Sequence, residues 1–210
     1  MDWILALDMD VMRTINVEWT HPWLDAFFLI MASFNLWKWP LIAAGIATAI
    51  WGGFRGRVFI VLMLLCLLIG DVLIVQVFKA TADRTRPHES HDDLRRVRFE
   101  GWTVTVDPSQ NRQVEHGNSM PSGHAANNFA LATIATFILS PWGRLVWIWA
   151  ILMAYSRVYT GDHYPSDVLV SFCIAVTYAC TIVYICSRLW QKWGPHWLPK
   201  VYDKHPRLIS

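Results

Sequence analysis

The sequence predicts an all-α polytopic membrane protein: a six-span antiparallel helical bundle with an N-terminal interfacial helix and an extramembrane loop. Three observations carry this. Apolar residues make up 54% of the 210, with a mean hydropathy of +0.30. Charged residues reach only 16%, against about 25% in average soluble proteins. Apolar runs recur along the chain with short connections, and one long polar stretch, residues 80–123, interrupts them. A single integral membrane domain over residues 1–210 is the simplest organisation. A formal charge of +2 without a basic stripe excludes the electrostatic footprint of a nucleic-acid binder, so the bilayer is the expected partner.

The N-terminal segment does not read as a secretory leader, because Asp2, Asp8 and Asp10 interrupt it. Ile4, Leu7, Val11 and Ile15 recur at helical spacing instead. That stripe suits a helix lying in the membrane interface or packed on another span. The first span, Trp23 to Phe34, is short and opens near Asp25. The second, Trp37 to Trp51, is apolar apart from Lys38 and stops at Gly52-Gly53. The third, Val58 to Phe78, is long enough to cross a hydrocarbon core of about 30 Å at about 1.5 Å per residue. The fourth, Ala125 to Leu139, ends near Pro141, and a short connection forces the fifth, Leu145 to Val158, to run antiparallel to it. The sixth, Val168 to Cys186, is closed by Arg188, Trp190 and Lys192 as interfacial anchors. Several runs fall below the usual ~20 residues, which implies tilt. Cys66, Cys173, Cys180 and Cys186 lie within apolar runs and predict neither a disulfide nor a zinc site.

Within residues 80–123, Phe99 to Asp107 is rich in Trp, Thr and Val, and the turn-forming Pro108 to Asn111 follows, so a small hairpin is expected. It serves either as a cap or as a substrate-contacting loop. Parity of the spans brings this loop and the segment before the sixth span to one face. Arg55, Arg57, Arg144, Arg188 and Lys192 share the opposite face, cytoplasmic by the positive-inside rule. The loop also carries Arg84, Arg95, Arg96, Arg98 and Arg112, which weakens that asymmetry.

Three short polar clusters sit at the rims of these runs. In the first, Lys79 and Arg86 are seven apart, so a continuing helix presents both on one side, whereas Pro87 favours opening of the last turn. With Arg157 they form a cationic set suited to phosphate oxygens. Taken singly, each also suits a snorkelling anchor. In the second cluster, Pro121-Ser122-Gly123-His124, Ser122 reads as an N-cap and Gly123 opens the backbone to an anion. In the third, His163 and Asp167 are four apart, with Pro165 at the first turn of a helix. Asp167 is then placed to bond one ring nitrogen of His163 and leave the other free as a nucleophile.

The complete set, Lys79…Arg86-Pro87, Pro121-Ser122-Gly123-His124 and Ser156-Arg157…His163…Asp167, resembles the signature of the type 2 phosphatidic acid phosphatase superfamily. The resemblance spans about Val58 to Arg188. It implies that His163 attacks phosphorus to form a phosphohistidine and that Asp167 orients it. His124 protonates the leaving oxygen, while Lys79, Arg86, Ser122, Gly123 and Arg157 hold the phosphate oxygens, with no metal and no other cofactor. The implied activity is hydrolysis of a lipid phosphate or pyrophosphate from the outer face of a bacterial inner membrane. Undecaprenyl pyrophosphate is the first candidate, followed by phosphatidylglycerophosphate, phosphatidic acid and lipid A 1-phosphate. A non-enzymatic lipid-phosphate binder or transporter is the reading from another class; substitution at His163, His124 or Asp167 would favour it, and none is substituted.

Other polar residues carry weaker expectations. Asp162 is either solvated or a partner of Arg84. His88, His91, Asp92 and Asp93 lack convincing metal-ligand spacing. Asp71 and Gln76 should face the bundle interior. Asn127 and Asn128 suit either support of the site or packing between helices.

Overall fold

A computed structural model describes residues 2–101, 103–108, 119–139 and 141–209. Helix α1 (Asp2–Arg13) continues into a π-helical turn, Thr14–Glu18. Its apolar stripe faces outward: Ile4, Leu7 and Val11 are exposed, whereas Asp8 and Met12 on the other side are buried. Helix α2 (Pro22–Ala32) starts with proline in its first turn, where the missing N–H has no helical partner to lose. His21 caps it by accepting a hydrogen bond from the Trp23 N–H at 3.3 Å. The chain breaks at Ser33, and α3 (Phe34–Trp51) leaves at 49° to α2.

Helix α4 (Gly53–Cys66) runs through a π-helical stretch, Leu67–Val75, into α5 (Gln76–Ala82). The stretch is closely packed at Gly70, where a Cβ would meet the Tyr178 ring at 2.4 Å. Asp83 ends α5 in the left-handed region, φ 40°, a conformation that aspartate tolerates better than most residues. A single turn, α6 (Pro87–Ser90), leads to the hairpin of β1 (Arg95–Glu100) and β2 (Thr103–Pro108). The two strands are antiparallel, with Glu100 opposite Thr103. The reversal therefore lies at Gly101, φ 64°, and not at the expected Pro108 to Asn111. Of that expected turn, residues 109–111 lie outside the described residues.

Helix α7 (Gly123–Ile138) packs against α4, α8 (Val146–Tyr159) and α9 (Pro165–Trp197). Its buried face is mostly alanine (Ala125, Ala126, Ala130, Ala132 and Ala135). Small side chains let helices approach closely where lipid supplies no hydrophobic drive between them. A 3₁₀ turn, Trp142–Leu145, joins α7 to α8. The sixth apolar run is much longer than expected, because α9 continues past Arg188 and Lys192 to Trp197. Helix α10 (Pro199–Lys204) then folds back. There Trp190 donates its indole N–H to the His205 carbonyl at 2.9 Å, and the His205 ring stacks on Phe54 at 4.4 Å. Trp190 is thus tied into the protein.

Among the described residues, two segments, Gly53–Ser90 and Pro165–Trp197, are long and apolar enough to cross a bilayer, and the bent pair α2–α3 makes a third if it counts as one span. Their outer faces carry exposed Leu64, Leu68, Val72 and Leu169, as lipid contact requires. With 16 and 14 residues, α7 and α8 are shorter than a usual span. Gln76 is exposed, against the expectation that it faces the interior, whereas Asp71 is half-buried. The four cysteines are free.

The hairpin is fastened to the loop between α8 and α9. The Val97 N–H donates to the Thr160 carbonyl at 3.1 Å. Gly161, φ 84°, lies so close that a Cβ there would stand 2.1 Å from the Arg95 carbonyl oxygen. Gly53, φ 61°, has open space around it. Gly161→Ala is therefore expected to cost about 2–4 kcal/mol, from left-handed strain plus overpacking, and Gly53→Ala only about 1–2. Thermal unfolding of both variants in detergent checks the ordering; equal losses would mean that the hairpin contact is not tight.

Candidate active site

The last turn of α5 carries Lys79, but the helix does not continue to Arg86. After Asp83 the chain is extended, and Arg86 precedes α6 with φ −74° and ψ 152°. The residue before proline is pushed from helical geometry in this way. Arg86 and Lys79 therefore approach the site from different backbone directions. Arg157, in the last turn of α8, donates to the Ala32 carbonyl at 3.2 Å. That carbonyl ends α2 at the break with α3, so the bend supplies an acceptor for a buried guanidinium.

Asp162 brings the two arginines together. Its carboxylate lies 2.9 Å from Arg157 and 3.7 Å from Arg86, and it accepts from the Thr160 hydroxyl at 3.0 Å. It contacts neither bulk solvent alone nor Arg84, the two expected alternatives. Burial by itself would raise its pKa, but the Arg157 and Arg86 guanidinium groups hold it down at about 2. The carboxylate stays charged at neutral pH.

Ser122 is the N-cap of α7, as expected, accepting from the Ala125 N–H at 3.5 Å. Its own N–H donates to the Ser171 hydroxyl at 2.8 Å, and Ser171 donates to the Asp167 carbonyl at 2.6 Å. The fully buried Ser122 thus caps α7 with its hydroxyl and ties α7 to α9 through its N–H. A Cβ on Gly123 would stand 3.2 Å from Asp71 Oδ1, so glycine lets α7 begin against that carboxylate. His124 follows and meets the edge of Phe34, ring centroids 6.2 Å apart. Asn128 links helices: it donates to the His124 carbonyl and accepts from the Trp149 indole, both at 2.8 Å.

His163 sits in the connection before α9 and is 3% exposed. Its Nδ1 lies 2.6 Å from the Ser119 carbonyl oxygen. A carbonyl only accepts, so Nδ1 carries the proton and Nε2 keeps its lone pair. Burial, then Arg157 and Arg86, push the ring pKa well below its ordinary value, so the ring is neutral at pH 7. A cavity of about 820 Å³ lies before the cluster, lined by Arg86, His124, Arg157 and Asp162. The charge of Lys79, half-buried, bears on Arg86, Arg157 and His124, although Lys79 and His163 are not on the cavity lining.

Residues 57–192, more than half of the chain, match the PAP2 superfamily. The chain belongs to that superfamily. A lipid A 4'-phosphatase of Porphyromonas gingivalis is 27% identical over 218 residues, covering 100% of this chain and 84% of that protein. The fold is shared with the crystal structure of Aquifex aeolicus LpxE, at TM-score 0.63 and 24% identity over 85% of this chain and 95% of that one. It is shared as well with a transmembrane PAP2-type phosphatidylglycerolphosphate phosphatase from Bacillus subtilis, at TM-score 0.60 and 20% identity over 90% and 89%. This PAP2 chain is an enzyme, similar to membrane lipid phosphatases.

The structure corrects one part of the expected PAP2 site. Asp167 does not hydrogen-bond His163: its Oδ2 is 3.9 Å from Nδ1. The carboxylate instead folds back on its own helix and accepts from the Tyr164 N–H at 2.9 Å. That is the capping position three residues into α9. Oδ2 also accepts from the Ser119 hydroxyl at 2.6 Å, so Asp167 reaches the histidine through the residue whose carbonyl meets Nδ1.

Three participants carry no clear mark in the sequence. Ser119 supplies that carbonyl. Arg84 donates to Asp167 Oδ1 at 2.7 Å, to the Ser166 hydroxyl at 2.7 Å and to Asp8 at 2.8 Å, and lies 3.8 Å above the Tyr164 ring. Asp8 of α1 also accepts from the Ser166 N–H at 2.8 Å. The signals are faint: an arginine two residues before Arg86, and an aspartate inside an apolar stripe. Asp25 likewise accepts from the Tyr159 hydroxyl at 2.7 Å and pairs with Arg95 at 3.1 Å. His88 has Nδ1 2.7 Å from the Gly161 carbonyl oxygen, while Asp93 pairs with Arg13 at 2.6 Å.

Asp167 is fully buried and the Arg84 side chain 23% exposed. Arg84→Met leaves that carboxylate without its cation, and is expected to cost about 3–5 kcal/mol. Unfolding of the purified variant measures it; a loss below about 1 kcal/mol, the size of an exposed pair, would show that solvent screens the contact.

Proposed function

We propose that this chain hydrolyses the phosphate ester or terminal pyrophosphate of a membrane lipid through a phosphohistidine on His163. The observation that carries the reading is the buried neutral imidazole, proton on Nδ1 and lone pair on Nε2, beside two arginines aimed at one small volume. Nε2 attacks phosphorus in line, the P–O bond to the lipid breaks, and His124 at the cavity wall gives its proton to the departing oxygen. Water then attacks the phosphohistidine, with His124 as base, to release inorganic phosphate and restore the ring. Arg86, Arg157 and Lys79 offset the charge on the equatorial oxygens, the electrostatic share of phosphoryl-transfer catalysis. Gly123 leaves the start of α7 open to those oxygens, and Ser122 holds that start in place. Asp167 acts as a positioning group through Ser119. No cofactor enters the scheme.

A lipid A phosphate is the substrate best supported by similarity, since the Porphyromonas gingivalis relative matches over the whole of this chain. The undecaprenyl pyrophosphate expected first from the sequence stays in the same chemical class. The Bacillus subtilis structural neighbour keeps phosphatidylglycerophosphate in the panel. In this reading α2 and α3 count separately and α7 and α8 cross with tilt, giving six spans of a bacterial inner membrane protein. The site then opens to the periplasm, the exposed stripe of α1 rests in the interface, and the lipid tail stays in the bilayer. A non-enzymatic binder has no use for a buried histidine with a prepared lone pair.

Two measurements test this. His163→Ala is expected to abolish phosphate release from a panel of lipid phosphates while its unfolding temperature stays near wild type; retained turnover would refute the nucleophile. The sign of the pH dependence also follows. Burial and neighbouring cations favour the neutral ring, so His163 loses its lone pair only at a pH well below 6.5, the ordinary imidazole value. Nitrogen-15 histidine spectra of the resting enzyme should show this ring neutral from pH 8 down to about 6, where an unperturbed histidine is already mostly charged. A midpoint at or above about 6.5 would contradict the environment described.

A further inference from the structure

The cavity before His124 has walls of different chemistry. Leu29, Ile30, Phe34 and Leu36, at the break between α2 and α3, give an apolar side. Arg86, Arg157 and Asp162 form the reacting end. A third wall is the hairpin, with Arg96 and Arg98 of β1.

That third wall is held in place. The Asn16 side chain brackets Arg95, accepting from its N–H at 2.7 Å and donating to its carbonyl at 3.1 Å. The Arg95 guanidinium is anchored on Asp25 at 3.1 Å. The Val97 N–H bonds Thr160, two residues from Asp162. Arg96 is therefore presented by a strand joined to the loop that carries the nucleophile.

The charges on these walls do not balance. Arg86 and Arg157 share Asp162. Arg98 is paired with Asp107 at 2.7 Å. Arg96 stands directly opposite Asp107 in the ladder, yet that carboxylate lies against Arg98. Half-buried Arg96 has no acidic partner among the described residues. The transferred phosphate does not account for it, because Arg86, Arg157 and Lys79 already surround that position. A guanidinium is a two-pronged donor whose best partners are phosphate and carboxylate.

We propose that Arg96, with Arg98 beside it, is a second anion subsite that receives a headgroup phosphate other than the one transferred. The substrate class is then a lipid bearing at least two phosphates, and the hairpin selects it over a lipid monophosphate. The inference rests on the phosphatase reading and narrows it. Two headgroup types share this chemistry, a lipid diphosphate and a lipid with two separate phosphomonoesters.

The test compares wild type with R96Q on three lipids in matched mixed micelles: dioleoyl phosphatidic acid, dioleoylglycerol pyrophosphate and bis-phosphorylated lipid A. Removing one charge-assisted hydrogen bond to phosphate should lower kcat/KM for a two-phosphate lipid about tenfold relative to phosphatidic acid. The effect should fall in KM, with partial recovery in R96K. The lipid on which it falls tells whether the second phosphate is adjacent or remote. An unchanged ratio, or an equal reduction on all three lipids, overturns the subsite and leaves the phosphatase reading intact. Wild-type enzyme that releases phosphate from none of the three overturns both.

Discussion

The fully buried carboxylate of Asp167 is the constraint on which the rest of this site depends. A bare carboxylate removed from water costs several kcal/mol even after relaxation, so every hydrogen bond it accepts is obligatory. It takes one from its own helix start, one from Arg84 and one from the Ser119 hydroxyl. Each partner in turn fixes something else. The helix start sets the direction of α9, and Arg84 draws Asp8, and hence α1, onto the bundle. Ser119 places its carbonyl against His163. One desolvated charge thereby couples the N-terminal helix, the first and third polar clusters and the ring of His163.

This coupling changes the meaning of the expected His-Asp pair. Four-residue spacing makes a direct hydrogen bond reasonable, because such residues share a face when both are helical. His163, however, lies outside α9, and Pro165 starts the helix only after it. The carboxylate then serves as a cap. A backbone carbonyl orients the ring just as well, since it fixes the same tautomer without placing a second full charge against the ring. That difference matters because Asp162 already supplies a negative charge next to the ring.

The candidate site residues are legible in the sequence because their spacing is local. Lys79, Arg86, His124, Arg157, His163 and Asp167 each sit near a helix end that Pro, Ser or Gly announces. The apolar runs are legible for the same reason, though their lengths are not. Nothing in composition shows that α9 continues to Trp197, or that α4 and α5 join through a π-helical stretch, because those depend on packing such as Gly70 against Tyr178. Contacts distant in sequence are invisible to it. Asp8 to Arg84 spans 76 residues and Asn16 to Tyr159 spans 143; only the folded bundle makes them neighbours. The hairpin is legible, but its turn is not, because Pro108 to Asn111 has stronger turn chemistry than the segment at Gly101.

The placement of charge follows the polarity of the helices. Helices α7 and α9 begin at the site, and α5 and α8 end there, as an antiparallel arrangement demands. Helix starts favour negative charge and helix ends favour positive charge, by about 0.3–1 kcal/mol each when exposed and more when partly buried. Asp71 lies against the start of α7 and Asp167 in the first turn of α9. Lys79 and Arg157 occupy the last turns of α5 and α8. These four groups each sit at the end their sign prefers. Lys79 and Arg157 are thus already stabilised by the scaffold, and in the proposed function the start of α7 adds a favourable field for the anion itself. For the proposed reaction such a site would require little rearrangement of its charges to receive a phosphate, and preorganisation of this kind is what makes fixed cations effective in phosphoryl transfer.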